Sequence, residues 1–226
     1  MSGSTNAVLA WDGPTRAFKW ALVVLVVDGW VSNKLGASVP GWHKWNGYAV
    51  LTLIVFRILW GFAGGSTARF ANFVAGPSRA LAYLRGGVSY LGHNPVGGWM
   101  ILGLMALIAA QCLTGLYAGD EDRVVIEGPL ARTVADATVE FAARWHHRAF
   151  DLLKIVVVLH IAANLFYTYV KRDPLIPAMV TGRKPPLPYA DMKQAQPGSW
   201  GRAAICLALA AAIVFGGIYA AGGRVF

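Results

Sequence analysis

Two histidines in one segment have the type and the spacing to bind a redox cofactor. His146 and His160 lie 14 residues apart in the stretch HHRAFDLLKIVVVLH. In an α-helix, with about 100° and about 1.5 Å per residue, this spacing places both imidazoles within about 40° of one face and about 21 Å apart along the axis. One imidazole near each side of a bilayer can bind two haems, one above the other. His147 points away from this face and would replace His146 only if the helix register differed.

Each of these histidines needs a second ligand from another helix. His43 opens the segment HKWNGYAVLTLIVFRILWGFAG, which enters the membrane from the same predicted side as His146. A single histidine in a membrane helix is more often interfacial or hydrogen-bonded. Matching depths favour ligation instead, and two imidazoles make a six-coordinate haem suited to electron transfer. His160 lies near the other side, where the sequence offers Lys19 rather than a histidine.

The composition predicts that these residues lie in an all-α integral membrane protein. The chain is 56% hydrophobic and 14% charged, whereas soluble domains carry roughly 25% charged residues. Its apolar segments match the roughly 20 residues that cross a bilayer. We expect a four-helix transmembrane haem-binding bundle followed by a fifth C-terminal transmembrane helix. The five predicted spans are residues 16–36, 43–64, 96–117, 146–170 and 200–221.

The charges and cysteines argue against two classes of protein and predict the orientation. The net charge of +9 comes from Lys and Arg beside the apolar spans, which indicates anionic lipid as the partner rather than nucleic acid. The loops at 64–95 and 171–202 are basic and the 118–145 loop is acidic. The positive-inside rule therefore places the N-terminus in the cytoplasm and the C-terminus in the periplasm. Cys112 and Cys206 lack a CxxCH motif, which argues against covalently attached haem.

Four motifs resemble the prokaryotic membrane cytochrome b family, which includes the cytochrome b subunits of nickel-iron hydrogenases and related di-haem, quinone-linked cytochromes. They are HKWNGYAVLTLIVFRILWGF, HNPVGGWM, HHRAFDLLKIVVVLHIAANLFY and LIPAMVTGRK. The resemblance covers about residues 14–185 and implies a cytochrome b domain at 16–185, between a tail at 1–15 and a linker with the fifth helix at 186–226. It also implies two non-covalent b haems in the bacterial inner membrane. These pass electrons between the quinone pool and a periplasmic partner such as a c-type cytochrome.

Position by position, the resemblance places the iron ligands on His43, His146, His160 and Lys19. The family usually has a histidine before tryptophan in the first helix, whereas this chain has Lys19 before Trp20. Lys19 either coordinates the inner haem as a neutral amine, because desolvation favours the uncharged form, or extends to the cytoplasmic headgroups. In the second case the inner haem would be five-coordinate or absent.

Other charged side chains lie inside the predicted spans, among them Arg57, Asp28 and Lys154. Arg57 follows His43 by 14 residues, so it shares that face at the depth of the inner haem. We expect it to pair with a haem propionate, and the alternative is an interfacial arginine. Asp28 and Lys154 are expected to form a buried pair, because isolated charges in a membrane are costly.

Two other functions stay open from the sequence. One is direct chemistry on a small molecule such as superoxide, at a haem edge or at an open inner site. The other is a haem-free transport or assembly subunit that uses Asp28, Arg57 and Lys154 as a charge relay. A homo-oligomer is compatible with each of these functions.

Overall fold

Helices dominate the chain in a computed structural model that describes residues 7–35, 41–86, 88–119 and 127–225. The eight α-helices among these residues are α1 Gly13–Leu35, α2 Trp42–Ala63, α3 Phe70–Phe73, α4 Pro77–Arg85, α5 Pro95–Tyr117, α6 Asp136–Leu165, α7 Leu175–Thr181 and α8 Trp200–Ala220. Two short strands, β1 Val8–Leu9 and β2 Arg183–Lys184, pair antiparallel. The first six residues of the predicted tail, and the acidic side chains of the predicted outer loop at 120–122, lie outside the described residues.

Four of the described helices are long and apolar enough, by length and composition, to cross a membrane: α2, α5, the helix Asp136–Val170 and α8. The prediction of a helical membrane bundle is therefore confirmed. α1 has 23 residues but is not one of the four, because Lys19 and Asp28 interrupt its apolar stretch. A fifth crossing stays a prediction.

The fourth span is part of a longer helix than the sequence suggested. α6 begins at Asp136 and runs for 30 residues to Leu165, and a π-helical turn at Phe166–Val170 extends it. An acidic residue in the first turn favours this start, since it interacts well with the positive end of the helix dipole. His146 therefore lies within one continuous helix rather than at its beginning.

The chain divides into two compact units, and the first comprises Met1–Phe18, Ile58–Gly103 and Val157–Ala204. Its two strands pair Val8 with Lys184 and Leu9 with Arg183. Beside them is a small apolar core made of Ala10, Trp11, Leu91, Ala178 and Ala195. The strands and this core tie the segment before α1 to the segment after α7.

Hydrogen bonds to buried charged groups hold the loops of the first unit. Lys184 has a fully buried side chain whose Nζ lies 2.7 Å from an Asp173 carboxylate oxygen and donates to the Tyr90 carbonyl at 3.0 Å. Asp191 accepts hydrogen bonds from the backbone N–H groups of Leu91 and Gly92, at 2.7 and 2.9 Å. The buried ammonium group of Lys184 is thereby satisfied, as stability requires.

The second unit comprises Lys19–Arg57, Leu104–Val156 and Ile205–Phe226. It contains most of α1 and α2, most of α5, and the part of α6 that carries His146. Its buried apolar cluster consists of Tyr48, Leu51, Leu130, Val214 and Ile218. Polar side chains in this unit gather around two histidines.

Candidate functional site

A cavity of about 930 Å³ lies within the second unit, and both His43 and His146 line it. This volume is at the upper end of the range for small-molecule and cofactor pockets. Residues of α1, α2, α5 and α6 form its walls. The structure therefore brings together the two histidines that the sequence placed at similar depth.

His43 is held by the backbone of α1. Its Nδ1 lies 3.1 Å from the carbonyl oxygen of Gly29 and 3.2 Å from the hydroxyl of Ser32. A carbonyl can only accept, so Nδ1 carries the proton and donates it. In this tautomer of the neutral imidazole, the lone pair is on Nε2. A histidine in this form can bind a metal through Nε2.

His146 is held in the same way by α5. Its Nδ1 lies 2.9 Å from the carbonyl oxygen of Gln111 and 3.4 Å from the hydroxyl of Thr114. Nδ1 is again the donor, and the Nε2 lone pair accepts from the Gln111 side-chain amide at 3.1 Å. Both imidazoles thus have the same fixed tautomer, in which Nε2 carries the lone pair.

The two imidazole rings have the separation of a pair of axial ligands. Their centroids lie 6.2 Å apart and their planes make an angle of 88°. Two opposed imidazoles on one metal ion, with bonds of about 2.0–2.1 Å and a ring centre about 1.1 Å behind each nitrogen, need about 6.3 Å. The centroid separation of His43 and His146 therefore matches that of two imidazoles on one metal ion.

Asp28 fixes α1 against α2 beside His43. Its carboxylate accepts from the indole N–H of Trp42 at 3.0 Å and from the amide of Asn46 at 2.5 Å. The expected pair between Asp28 and Lys154 is wrong, because Lys154 forms its ion pair with Asp151 at 2.8 Å. Residues three apart on a helix are neighbours on its surface, so Asp151 is within reach of Lys154.

Close packing places α5 against His146. A Cβ atom at Gly115 would lie 2.9 Å from Cε1 of His146, closer than carbon atoms normally approach. Sequence reasoning associated Gly115 with close helix packing but not with His146, and it missed Gln111 and Thr114. A signal was present for these last two, since they are three residues apart, and hence on one side, in an otherwise apolar helix.

Charged side chains of both signs line the cavity beyond the two imidazoles. They are Lys44, Glu127, Asp136, Glu140 and Arg144. Glu140 lies 3.7 Å from Arg144 one helical turn away. The hydrogen bond and the charge of Glu127 raise the pKa of Arg132 above its ordinary value. Cations at this position are suited to pair with carboxylate groups of a ligand.

The other predicted site residues lie apart from this cavity. Lys19 is on α1 with a buried Nζ, and Arg57 is a buried residue of α2; both belong to the second unit, but neither is among the residues that line the cavity. His160 belongs to the first unit, and the side-chain amide of its neighbour Asn164 lies 3.1 Å from its Nε2. Ligation by Lys19 and His160 stays a prediction from the sequence.

Comparison with known families identifies one match. A family model described as prokaryotic cytochrome b561 matches residues 10–182. This range contains α1 to α7 and every histidine of the sequence. No match is found among curated proteins or among solved structures.

Proposed function

The chain belongs to the prokaryotic cytochrome b561 family, and from this premise we propose that His43 and His146 are the axial ligands of a haem b in the cavity of the second unit. Membership implies a membrane b-type cytochrome that binds haem b and transfers electrons across a membrane. The haem supplies the one-electron redox couple. The observation that carries the assignment is the 6.2 Å separation of the two rings.

The protein supplies the orientation of the two ligands. Each imidazole binds through Nε2 while its Nδ1–H donates to a backbone carbonyl, of Gly29 for His43 and of Gln111 for His146. These hydrogen bonds hold the ring planes and make the ligating nitrogens more basic. The Gln111 amide must turn away from Nε2 of His146 when this nitrogen binds iron, because one lone pair cannot serve both.

Two axial ligands direct the chemistry toward electron transfer. With His43 and His146 as its ligands, the iron would have no position open to a substrate, and the haem would be suited to one-electron transfer. Lys44 and Arg144 line the same cavity and are placed to pair with the carboxylates of the cofactor. The role of Arg57 at a second haem stays a prediction.

From the sequence resemblance alone, we also propose a second haem, for which His160 and Lys19 are the candidate ligands. The burial of the Lys19 Nζ disfavours the alternative in which the ammonium reaches the headgroups. A desolvated amine loses its proton more readily and can then bind a metal. With α1 as a fifth crossing, the N-terminus is cytoplasmic and the C-terminus periplasmic. Electrons would pass between the quinone pool and a periplasmic partner such as a c-type cytochrome.

The test of the first haem is a comparison of adjacent histidines. We expect purified His43→Ala and His146→Ala proteins to lose one haem per chain in a pyridine haemochrome count. His147→Ala is the matched control, because His147 lines the cavity but lies about 100° from the ligand face. The haem of the His147→Ala variant should keep a strongly anisotropic low-spin EPR signal, because the two imidazole planes make an angle of 88°. Loss of haem in His147→Ala but not in His146→Ala would overturn the assignment.

The second haem is tested at Lys19. We expect the wild-type chain to contain two low-spin haems and Lys19→Ala to lose one or convert it to high spin. Lys19→His, which restores the residue of the resembled family, should return it to low spin. Two haems that are unchanged in Lys19→Ala would contradict ligation by this lysine and leave the His43–His146 assignment intact.

A further inference from the structure

An ion pair lies on the outer surface of α6, within its apolar stretch. Asp151 and Lys154 are 2.8 Å apart, and their side chains are 69% and 55% exposed. Residues 149–170 contain no other Asp, Glu, Lys or Arg. Charged side chains inside a membrane-spanning helix usually face the protein interior, because contact with lipid is costly.

The pair does not face the cavity. Asp151 follows His146 by five residues and Lys154 follows it by eight, which turns them by about 140° and about 80° from the ligand face, and neither is among the residues that line the cavity. Apolar neighbours on the same side are exposed as well, with Leu152 at 50% and Ile155 at 59%. We call Asp151, Leu152, Lys154 and Ile155 the outward face of α6.

Contact within the pair leaves most of its bonding capacity unused. An ammonium group has three donors and a carboxylate about four acceptor positions. Lys154 contacts one carboxylate oxygen of Asp151 and lies 5.4 Å from the centre of the Phe150 ring. In a hydrocarbon environment, further partners for these groups stabilise helix association.

We propose that the outward face of α6 is the interface of a homodimer. Copies of one chain insert in the same orientation, so a two-fold axis along the membrane normal places equal depths of the two α6 helices side by side. Asp151 and Lys154 differ by about 4.5 Å in axial position, which their side chains can span. Asp151 of one protomer then meets the partner's Lys154, and the reciprocal contact forms on the other side of the axis.

A second copy matches this face better than another occupant. The face carries one acid and one base at nearly the same depth, so it is complementary to itself and electrically neutral. Lipid tails offer no polar partner to either group.

Cysteine cross-linking in intact membranes tests the contact. Ile155→Cys, in a chain with Cys112 and Cys206 replaced by alanine, should give a dimer of this chain on oxidation. Leu209→Cys is the control, because it is a similarly exposed position, at 52%, on α8. A monomer at both positions, or an Ile155→Cys cross-link only to a different protein, would overturn the proposal.

Complementary charge variants test the pairing itself. Asp151→Lys makes the face doubly positive and Lys154→Asp makes it doubly negative, so each alone should lower the cross-linked fraction by about tenfold. When the two variants are produced together with different tags, the mixed dimer should recover. Neither chain retains the intrahelical pair, so recovery can come only from contacts between copies.

The exchange of both residues controls for folding. Asp151→Lys with Lys154→Asp in one chain restores both the intrahelical and the intermolecular pairs and should dimerise like the wild type. Undiminished cross-linking in the single variants, or an absent mixed dimer when the double exchange dimerises, would disprove the proposal. Haem content plays no part in this measurement, so its outcome is independent of the proposed function.

Discussion

The two units of this chain use buried polar groups for different purposes. In the first unit, Lys184 and Asp191 bind loop backbone and a carboxylate, and they hold segments that are distant in sequence. In the second unit, the backbone carbonyls of Gly29 and Gln111 accept from the N–H groups of the two imidazoles. Polar groups in the first unit therefore stabilise the fold, whereas those in the second orient the two imidazoles. Variants should separate these two purposes.

The largest effect is expected from Lys184→Met in the first unit. Removal of one partner from a buried ion pair leaves Asp173 without its cation and should cost about 3 kcal/mol. We expect a lower thermal unfolding midpoint and faster proteolysis after Arg183, with an unchanged spectrum of the His43–His146 haem at low temperature. A change in the haem spectrum, measured where variant and wild type are equally folded, would show that Lys184 also affects the haem site. This would contradict the distinction between the two units.

Gly115→Ala should have the reverse pattern in the second unit. The added methyl group meets the His146 ring at 2.9 Å and must displace it. Loss of ligand orientation typically weakens metal binding by about tenfold to hundredfold, so haem should be retained poorly during purification. Gly103→Ala is the matched control, because a Cβ atom there has no neighbour within 4 Å. Equal haem retention in the two variants would refute the packing argument.

Asp28→Asn should change the potential of the haem with little effect on the fold. The amide keeps an oxygen that accepts from Trp42, but the negative charge beside His43 is lost. A nearby anion favours the ferric state, so its removal should raise the reduction potential by about 20–60 mV. Redox titration measures this shift, and an unchanged or lowered potential would contradict an electrostatic effect of Asp28 on the haem.

The smallest effect is expected from Thr114→Val. The hydroxyl lies 3.4 Å from Nδ1 of His146, which is long for a hydrogen bond, and the Gln111 carbonyl at 2.9 Å remains. Haem content should be unchanged and the potential should move by less than about 20 mV. A larger shift would indicate that the hydroxyl, rather than the carbonyl, orients His146.

The sequence was sufficient to predict the class of fold, the family and the proximity of two histidines. Hydropathy and helical periodicity predicted the helical membrane bundle, and the family resemblance is confirmed by the match over 10–182. The proximity of His43 and His146 followed from equal depth on two helices. These properties depend on the regular geometry of the α-helix, so they can be calculated from the number of residues between two positions.

The finer contacts could not be predicted because backbone groups make them. The carbonyls of Gly29 and Gln111 hold the imidazoles, and every residue has a carbonyl. Lys154 pairs with Asp151 on the same helix, whereas Asp28 accepts from Trp42 and Asn46. Sequence patterns assign each residue to a helix, but they do not tell which of several possible partners its side chain contacts.

The continuity of α6 has a consequence for the rate of electron tunnelling. Glu140, at the rim of the cavity, and His146 lie on the same unbroken helix, six residues and about 9 Å apart along its axis. No hinge separates them, so a redox protein resting on this rim would meet His146 at a set distance. Tunnelling rates fall exponentially with distance. A continuous helix between the rim and His146 would therefore keep the distance, and with it this contribution to the rate, the same for every partner that binds there.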